Sequence, residues 1–283
     1  MSQISVCLNK VKKPCYRFIS TQEISSEKFK NKDKMLRSFL IPVCFWMAKK
    51  VKKNKTMIVG LSGGQGTGKT TISSIIKIIL EKYFKLNVFK ISIDDFYKTR
   101  KERIILSKKV HPLLKTRGVP GTHDIDMMLN LFRKVKAKKL KNLSLPKFDK
   151  SIDDRVSKNK WYKVKSKPDI VIFEGWCVGA KSQSAKQLIK PINSLERLND
   201  KSMKWRKYVN LNLKNKYKKF HSMMDCLLYL KAENFALLRK WRLVQEKKLK
   251  IKNKNRKNSK VMNKQEVLNF MMTYQRITEH MFK

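Results

Sequence analysis

Short apolar runs alternate with helically spaced segments along this chain. Met57-Ile58-Val59-Gly60-Leu61 is a compact apolar run ending in a Gly-rich turn, the pattern of a strand buried on both faces. From Thr71 to Phe84 the apolar positions Ile72, Ile75, Ile76, Ile79 and Leu80 recur at helical spacing. Further strands are predicted over Asn87–Ile93, Asp169–Phe173 and Cys226–Leu230. Strands alternating with helices imply α/β architecture, a parallel sheet flanked by helices. Upstream, Ser38–Lys49 reads as a short helix with Leu40, Val43, Trp46 and Met47 on one side, followed by a basic connector, Lys49–Lys55. Residues 1–37 are polar and weakly patterned and are expected to form a loosely structured extension. Lys247–Lys260 is nearly all Lys, Asn and Ser, the composition of a solvated loop or a frayed helix end.

Composition adds bounds. The 283 residues suffice for one α/β domain with extensions, and 41% are hydrophobic, enough for a sizeable core. The longest apolar run, Phe39–Ala48, contains Pro42 and falls short of the about 20 residues a membrane span needs, so no membrane association is expected. Five scattered cysteines show no metal-ligand spacing, which suits a reduced, cytoplasmic setting. The net charge of +47, from 68 basic and 21 acidic residues, would attract any polyanion. The excess is mostly Lys, spread evenly beside many Asn and Ile, which A/T-rich coding also produces. No aromatic and basic cluster forms a base-stacking platform, so no specific nucleic-acid partner is expected. No motif bears on oligomeric state.

Five segments carry candidate chemistry. In Gly63-Gly64-Gln65-Gly66-Thr67-Gly68-Lys69-Thr70 the glycines let backbone N–H groups converge on phosphate oxygens, and the following helix adds its positive end. Lys69 would reach the outer phosphates of a nucleotide, the Thr70 hydroxyl would bind Mg²⁺, and Thr71 opens the helix. Ile91-Ser92-Ile93-Asp94-Asp95-Phe96-Tyr97 places carboxylates at a strand end beside the ligand crevice. One could accept the proton of an attacking hydroxyl and the other hold Mg²⁺ through water; alternatively the pair caps the next helix. Glu174, at the end of Asp169–Phe173, matches the Mg²⁺-associated acid of phosphate-loop enzymes or is simply a polar strand terminus. In the turn-rich loop His111–Asp124, Arg117 could clamp a carboxylate and His123 could hydrogen-bond a hydroxyl or serve a structural bond, while Asp124 could cap a helix from Ile125. Arg239 and Arg242 lie one helical turn apart and could fold over a transferring phosphoryl group or form a solvated basic face.

Together these segments resemble the phosphoribulokinase, uridine kinase and pantothenate kinase group of P-loop kinases. Ser92-Ile93-Asp94-Asp95-Phe96-Tyr97 is similar to that group's Ser-x-Asp-x-Phe-Tyr, and the resemblance implies Asp94 as catalytic base with Asp95 and Tyr97 nearby. Pro146-Lys147-Phe148-Asp149 with Arg155 resembles its Pro-x-Tyr-Asp…Arg segment, implying Asp149 and Arg155 near the acceptor, with Phe148 in place of the usual Tyr. Within the group the match is to the D-glycerate 3-kinase branch, through Arg117-Gly118-Val119-Pro120-Gly121-Thr122-His123-Asp124, Phe173-Glu174-Gly175-Trp176, Pro191-Ile192-Asn193-Ser194-Leu195-Glu196, Trp241-Arg242-Leu243-Val244-Gln245-Glu246 and Tyr274-Gln275-Arg276-Ile277-Thr278. It implies a P-loop NTPase fold over residues 38–283 with a helical lid at about 235–262. The implied activity is transfer of the ATP γ-phosphoryl group, with Mg²⁺ at Thr70 and Glu174, to a hydroxyl of a small acid such as D-glycerate. Lys69 and Arg242 would stabilise the moving group. A nucleoside or pantothenate-like acceptor and a nucleic-acid-associated ATPase are the alternatives.

Overall fold

The computed structural model describes residues 2–24, 28–137, 143–164, 166–252 and 262–283. Its central sheet consists of β1 (Met57–Gly63), β2 (Val88–Ser92), β3 (Ile170–Gly175) and β4 (Cys226–Leu230). The spatial order is β2-β3-β1-β4 and every pairing is parallel. β1 and β3 are buried at every position, as their continuous apolar sequences require, while β4 at the edge is half-buried. Side chains alternate between two cores: Ile58, Val171 and Phe173 face one layer, and Val59, Leu61, Ile170 and Ile172 face the other. Because the strands run one way, Gly63, Ser92 and Gly175 end at a single edge. Three segments far apart in sequence thereby meet at one crevice.

One layer contains α1 (Gln3–Gln22), α2 (Ile41–Lys50) and α3 (Lys69–Lys82). The expected loose extension is therefore wrong for its largest part. In α1, Cys7, Val11, Cys15 and Ile19 recur every four residues and are fully buried, packing in the same core as Ile75, Ile76 and Ile79 of α3. Interleaved Lys, Asn and Ser mask this stripe in composition. α2 follows a π-helical turn, Leu36–Leu40, and buries Ile41, Cys44 and Met47. The expected apolar face is correct at Leu40 and Met47 but not at Trp46, which is exposed with the Lys50 ammonium 5.2 Å from its ring centroid.

The opposite layer holds α4 (Arg100–Lys109), α5 (Ile125–Lys136) and α6 (Lys204–Asn212), with Phe132 and Phe220 packed edge-on against Phe173. α7 (Phe235–Lys252) and α8 (Lys264–Met281) share a small core of Phe235, Leu238, Val267 and Met271. Of the stretch expected as loop or frayed helix, residues 247–252 continue α7, and the rest lies outside the described residues. Among the described residues no helix is long and apolar enough to cross a membrane.

Candidate active site

The loop after β1 turns through left-handed glycines, Gly66 at φ 83° and Gly68 at φ 79°, and Gly68 is the residue from which α3 starts. A Cβ at Gly66 would lie 2.8 Å from the Cβ of Trp241, and one at Gly64 would lie 2.3 Å from Leu238 Cδ1. The expected lid helix, α7, is therefore seated directly on the loop. Lys69 Nζ donates to the Gly64 carbonyl at 2.8 Å, and Thr67 Oγ1 donates to the same oxygen at 2.9 Å. Burial pushes the Lys69 ammonium down to about 8, although the carboxylates of Asp94 and Glu174 pull the other way.

Glu174, 5% exposed, is the penultimate residue of β3 and lies beside the first turn of α3. Its Oε1 accepts from Thr70 Oγ1 at 3.0 Å and its Oε2 from Ser73 Oγ at 2.9 Å. Among the described residues no group of three or more His, Cys, Asp or Glu is arranged to hold a metal by itself. The Thr70–Glu174 pair is the sparse donor set that suits Mg²⁺, which keeps water and phosphate oxygens as most of its ligands.

β2 ends in a 3₁₀ turn, Ile93–Phe96, capped by Ser92, whose hydroxyl accepts the Asp94 N–H at 3.2 Å. Burial pushes the Asp94 carboxyl upward, but Lys150 and a hydrogen bond from Tyr97 outweigh it and hold Asp94 below the ordinary carboxylate value. Lys150 Nζ donates to Asp94 Oδ2 at 2.6 Å. Asp95 behaves oppositely: burial, with the adjacent Asp94 charge, raises it to about 6 against the Phe148 N–H it accepts at 3.2 Å.

A cavity of about 660 Å³ joins these groups. Its walls include Gln65, Gly66, Thr67 and Gly68 of the loop, Lys69, Thr70 and Thr71 at the start of α3, Ser92 and Asp94 at the end of β2 and the turn after it, Glu174 and Trp176 at and just beyond the end of β3, and Trp241, Gln245 and Lys248 from α7. The structure thus brings together the expected phosphate, metal and base residues. Gly63 lies under the loop, its α-carbon facing Thr67 and Leu230. Lys150, Gln22 and Phe29 also line the cavity, although no motif in the sequence marks them. The sparse apolar repeat of α1 is the sequence signal that could have placed the N-terminal segment here, and nothing local marks Lys150.

The residues expected to bind the acceptor, Asp95, Tyr97, Arg117, His123, Asp149 and Arg155, do not line this cavity. The rings of Tyr97 and His123 stack at 4.5 Å across an isolated β-bridge. His123 Nδ1 shares a 2.5 Å hydrogen bond with the Tyr217 hydroxyl, its Nε2 is buried without a partner, and burial pushes it down to about 3, so it is neutral. Asp124 caps α5 through Met127 N–H at 3.0 Å, as the capping alternative held. Arg117 pairs with Asp153 and lies 5.6 Å from the Phe148 ring centroid, so the cation read as a carboxylate clamp already has a carboxylate. Arg155 donates to the Tyr97 carbonyl at 2.8 Å. Asp149 closes a tight turn by accepting the N–H and hydroxyl of Ser151, at 2.8 and 2.6 Å. Arg242 is held by Glu246 at 2.5 Å and lies 5.7 Å from the Phe270 ring centroid, so α7 turns Trp241 and Gln245 to the cavity instead.

No family model matches the chain. The chain is 33% identical over 230 residues to a fission yeast (Schizosaccharomyces pombe) protein described as an uncharacterized kinase, covering 78% of this chain and 79% of the relative. It is 28% identical to the chloroplastic D-glycerate 3-kinase of Arabidopsis thaliana over 75% of this chain, but spans only 48% of that protein. Among solved structures, a D-glycerate 3-kinase from Cryptococcus neoformans superposes with a TM-score of 0.71 at 26% identity, covering 86% of this chain and 85% of the other. A parallel sheet, a glycine-rich phosphate loop and sequence identity along most of its length place the chain in the glycerate kinase-like group of P-loop kinases.

Proposed function

We propose that this kinase transfers the γ-phosphoryl group of ATP to a hydroxyl of a small organic acid, with D-glycerate as acceptor. The observation that carries the reading is the convergence of Lys69, the Thr70–Glu174 pair and Asp94 on one cavity. The acceptor follows from the names of the Arabidopsis and Cryptococcus relatives. Five free thiols suit a reduced, cytoplasmic setting.

The residues fit both groups that the reaction needs. The loop has no side chain at Gly66 or Gly68, leaving backbone N–H groups to approach phosphate. Thr70 and Glu174 would hold Mg²⁺, which when bound supplies positive charge for the phosphate oxygens. Lys69 exchanges its Gly64 carbonyl for phosphate and regains full charge there. Asp94, kept ionised, orients the acceptor hydroxyl and takes its proton. Tyr97 bonds Asp94 directly, and His123 braces Tyr97, so both position the base. Asp95, Asp149 and Arg155 shape the Phe148–Arg155 ribbon on the acceptor side, and Arg117 braces it through Asp153. Arg242, paired with Glu246, would have to leave that carboxylate to stabilise the moving group, and Lys248 is the α7 cation that lines the cavity.

An acceptor panel tests the reading. ADP release from Mg-ATP is followed with D-glycerate, uridine and pantothenate. D-glycerate should drive turnover; silence with D-glycerate and turnover with either of the others would overturn the choice of acceptor.

A further inference from the structure

We propose that Lys150 is the cation that receives the acceptor's carboxylate, making the site select hydroxy acids over neutral alcohols. This rests on the reading of the cavity as a hydroxy-acid kinase site.

Lys150 sits at the tip of a two-stranded antiparallel ribbon, Phe148–Asp149 against Asp154–Arg155. The ribbon is pinned over the end of β2 at both strands. Phe148 N–H donates to Asp95, and Arg155 donates to the Tyr97 carbonyl. The Asp149–Ser151 turn fixes the tip. The Lys150 side chain is 60% exposed and reaches into the cavity to touch Asp94. It is thus held in place at its backbone, with its ammonium on Asp94 and the side chain still open to solvent.

Three lysines and no arginine line this cavity among the described residues. Lys69 belongs to the phosphate loop and Lys248 to α7, leaving Lys150 on the wall beside the base. The arginines of the acceptor side are committed elsewhere. Arg117 pairs with Asp153, and Arg103 is fully buried, with bonds to the carbonyls of Lys98, Lys115 and Asp153.

The chemistry requires a cation at this point. A hydroxy acid must bring its hydroxyl to Asp94, and in a three-carbon acid the carboxylate comes close behind. Two carboxylates side by side repel unless a positive charge lies between them. An ammonium has three donors. One satisfies Asp94, and two remain for the incoming carboxylate. A neutral alcohol gains nothing from them.

The test compares kcat/KM for D-glycerate with that for glycerol in the wild type, Lys150→Met and Lys150→Arg. Loss of a charge-assisted contact predicts that Lys150→Met lowers the glycerate-to-glycerol ratio about 10- to 100-fold, chiefly through KM for D-glycerate, and that Lys150→Arg restores part of it. If both acceptors fall together in Lys150→Met and the ratio holds, Lys150 serves the base or the phosphoryl group, and the proposal is overturned. A ratio unchanged at full activity overturns it equally. A wild type that uses D-glycerate with either of these results leaves the hydroxy-acid reading standing. A wild type that phosphorylates no carboxylate acceptor overturns both.

Discussion

At the scale of single residues, Lys69 shows how occupancy sets charge. In the free protein, burial brings its ammonium down to about 8. Nucleotide phosphates favour the charged form and raise it again. Because a group with this pKa loses its proton as pH rises, kcat/KM for ATP should fall above about pH 8, whereas kcat, read with nucleotide bound, should break at higher pH. Profiles that break together, or a flat kcat/KM across that region, would contradict the account. The phosphate loop itself was legible because its glycines act locally: Gly66 and Gly68 are needed where the backbone is left-handed. Lys150 was not, since one lysine among 68 basic residues is marked only by where the ribbon places it. Nor was the engagement of Arg117, whose partner Asp153 lies 36 residues away.

Elements are legible in the sequence where buried apolar positions are dense, as in β1, β3 and α3, and obscure where they are sparse, as in α1. β1 and β3 announce themselves as unbroken apolar runs, although β1 extends to Gly63, two residues beyond the apolar segment. α3 starts at Lys69, ahead of its first apolar residue, because Gly68 rather than the apolar pattern sets its start. α1 is hidden in the sequence because its buried face is only one residue in four, among lysines and polar residues. Its packing on α3 connects the N-terminal segment to the helix that carries the phosphate loop. Replacing fully buried Ile19 with Ala should therefore cost about 2–5 kcal/mol in urea unfolding. Arg17→Ala on the exposed side of the same helix should stay within about 0.5 kcal/mol. Equal, small effects from the two would show that α1 is dispensable.

For the whole molecule, the site is a product of sheet order. β3 inserts between β1 and β2, placing Glu174 and Asp94 beside a loop that precedes them by many residues, and no local pattern encodes that insertion. The charge of +47 acts at this scale too. Being spread rather than shaped, it should bind DNA or RNA only through phosphates, with affinity falling by orders of magnitude between about 50 and 200 mM salt. A sequence-selective complex surviving the higher salt would point to a nucleic-acid role. In the proposed reaction this assembly delivers a hydroxyl to Asp94 for phosphoryl transfer. Turnover by Asp94→Asn with Mg-ATP and D-glycerate, measured alongside ATP affinity and thermal unfolding, tests that delivery. Loss of the base should lower kcat about 10²- to 10⁴-fold with nucleotide binding and folding intact; near-normal turnover by the folded variant would show that Asp94 is not the base.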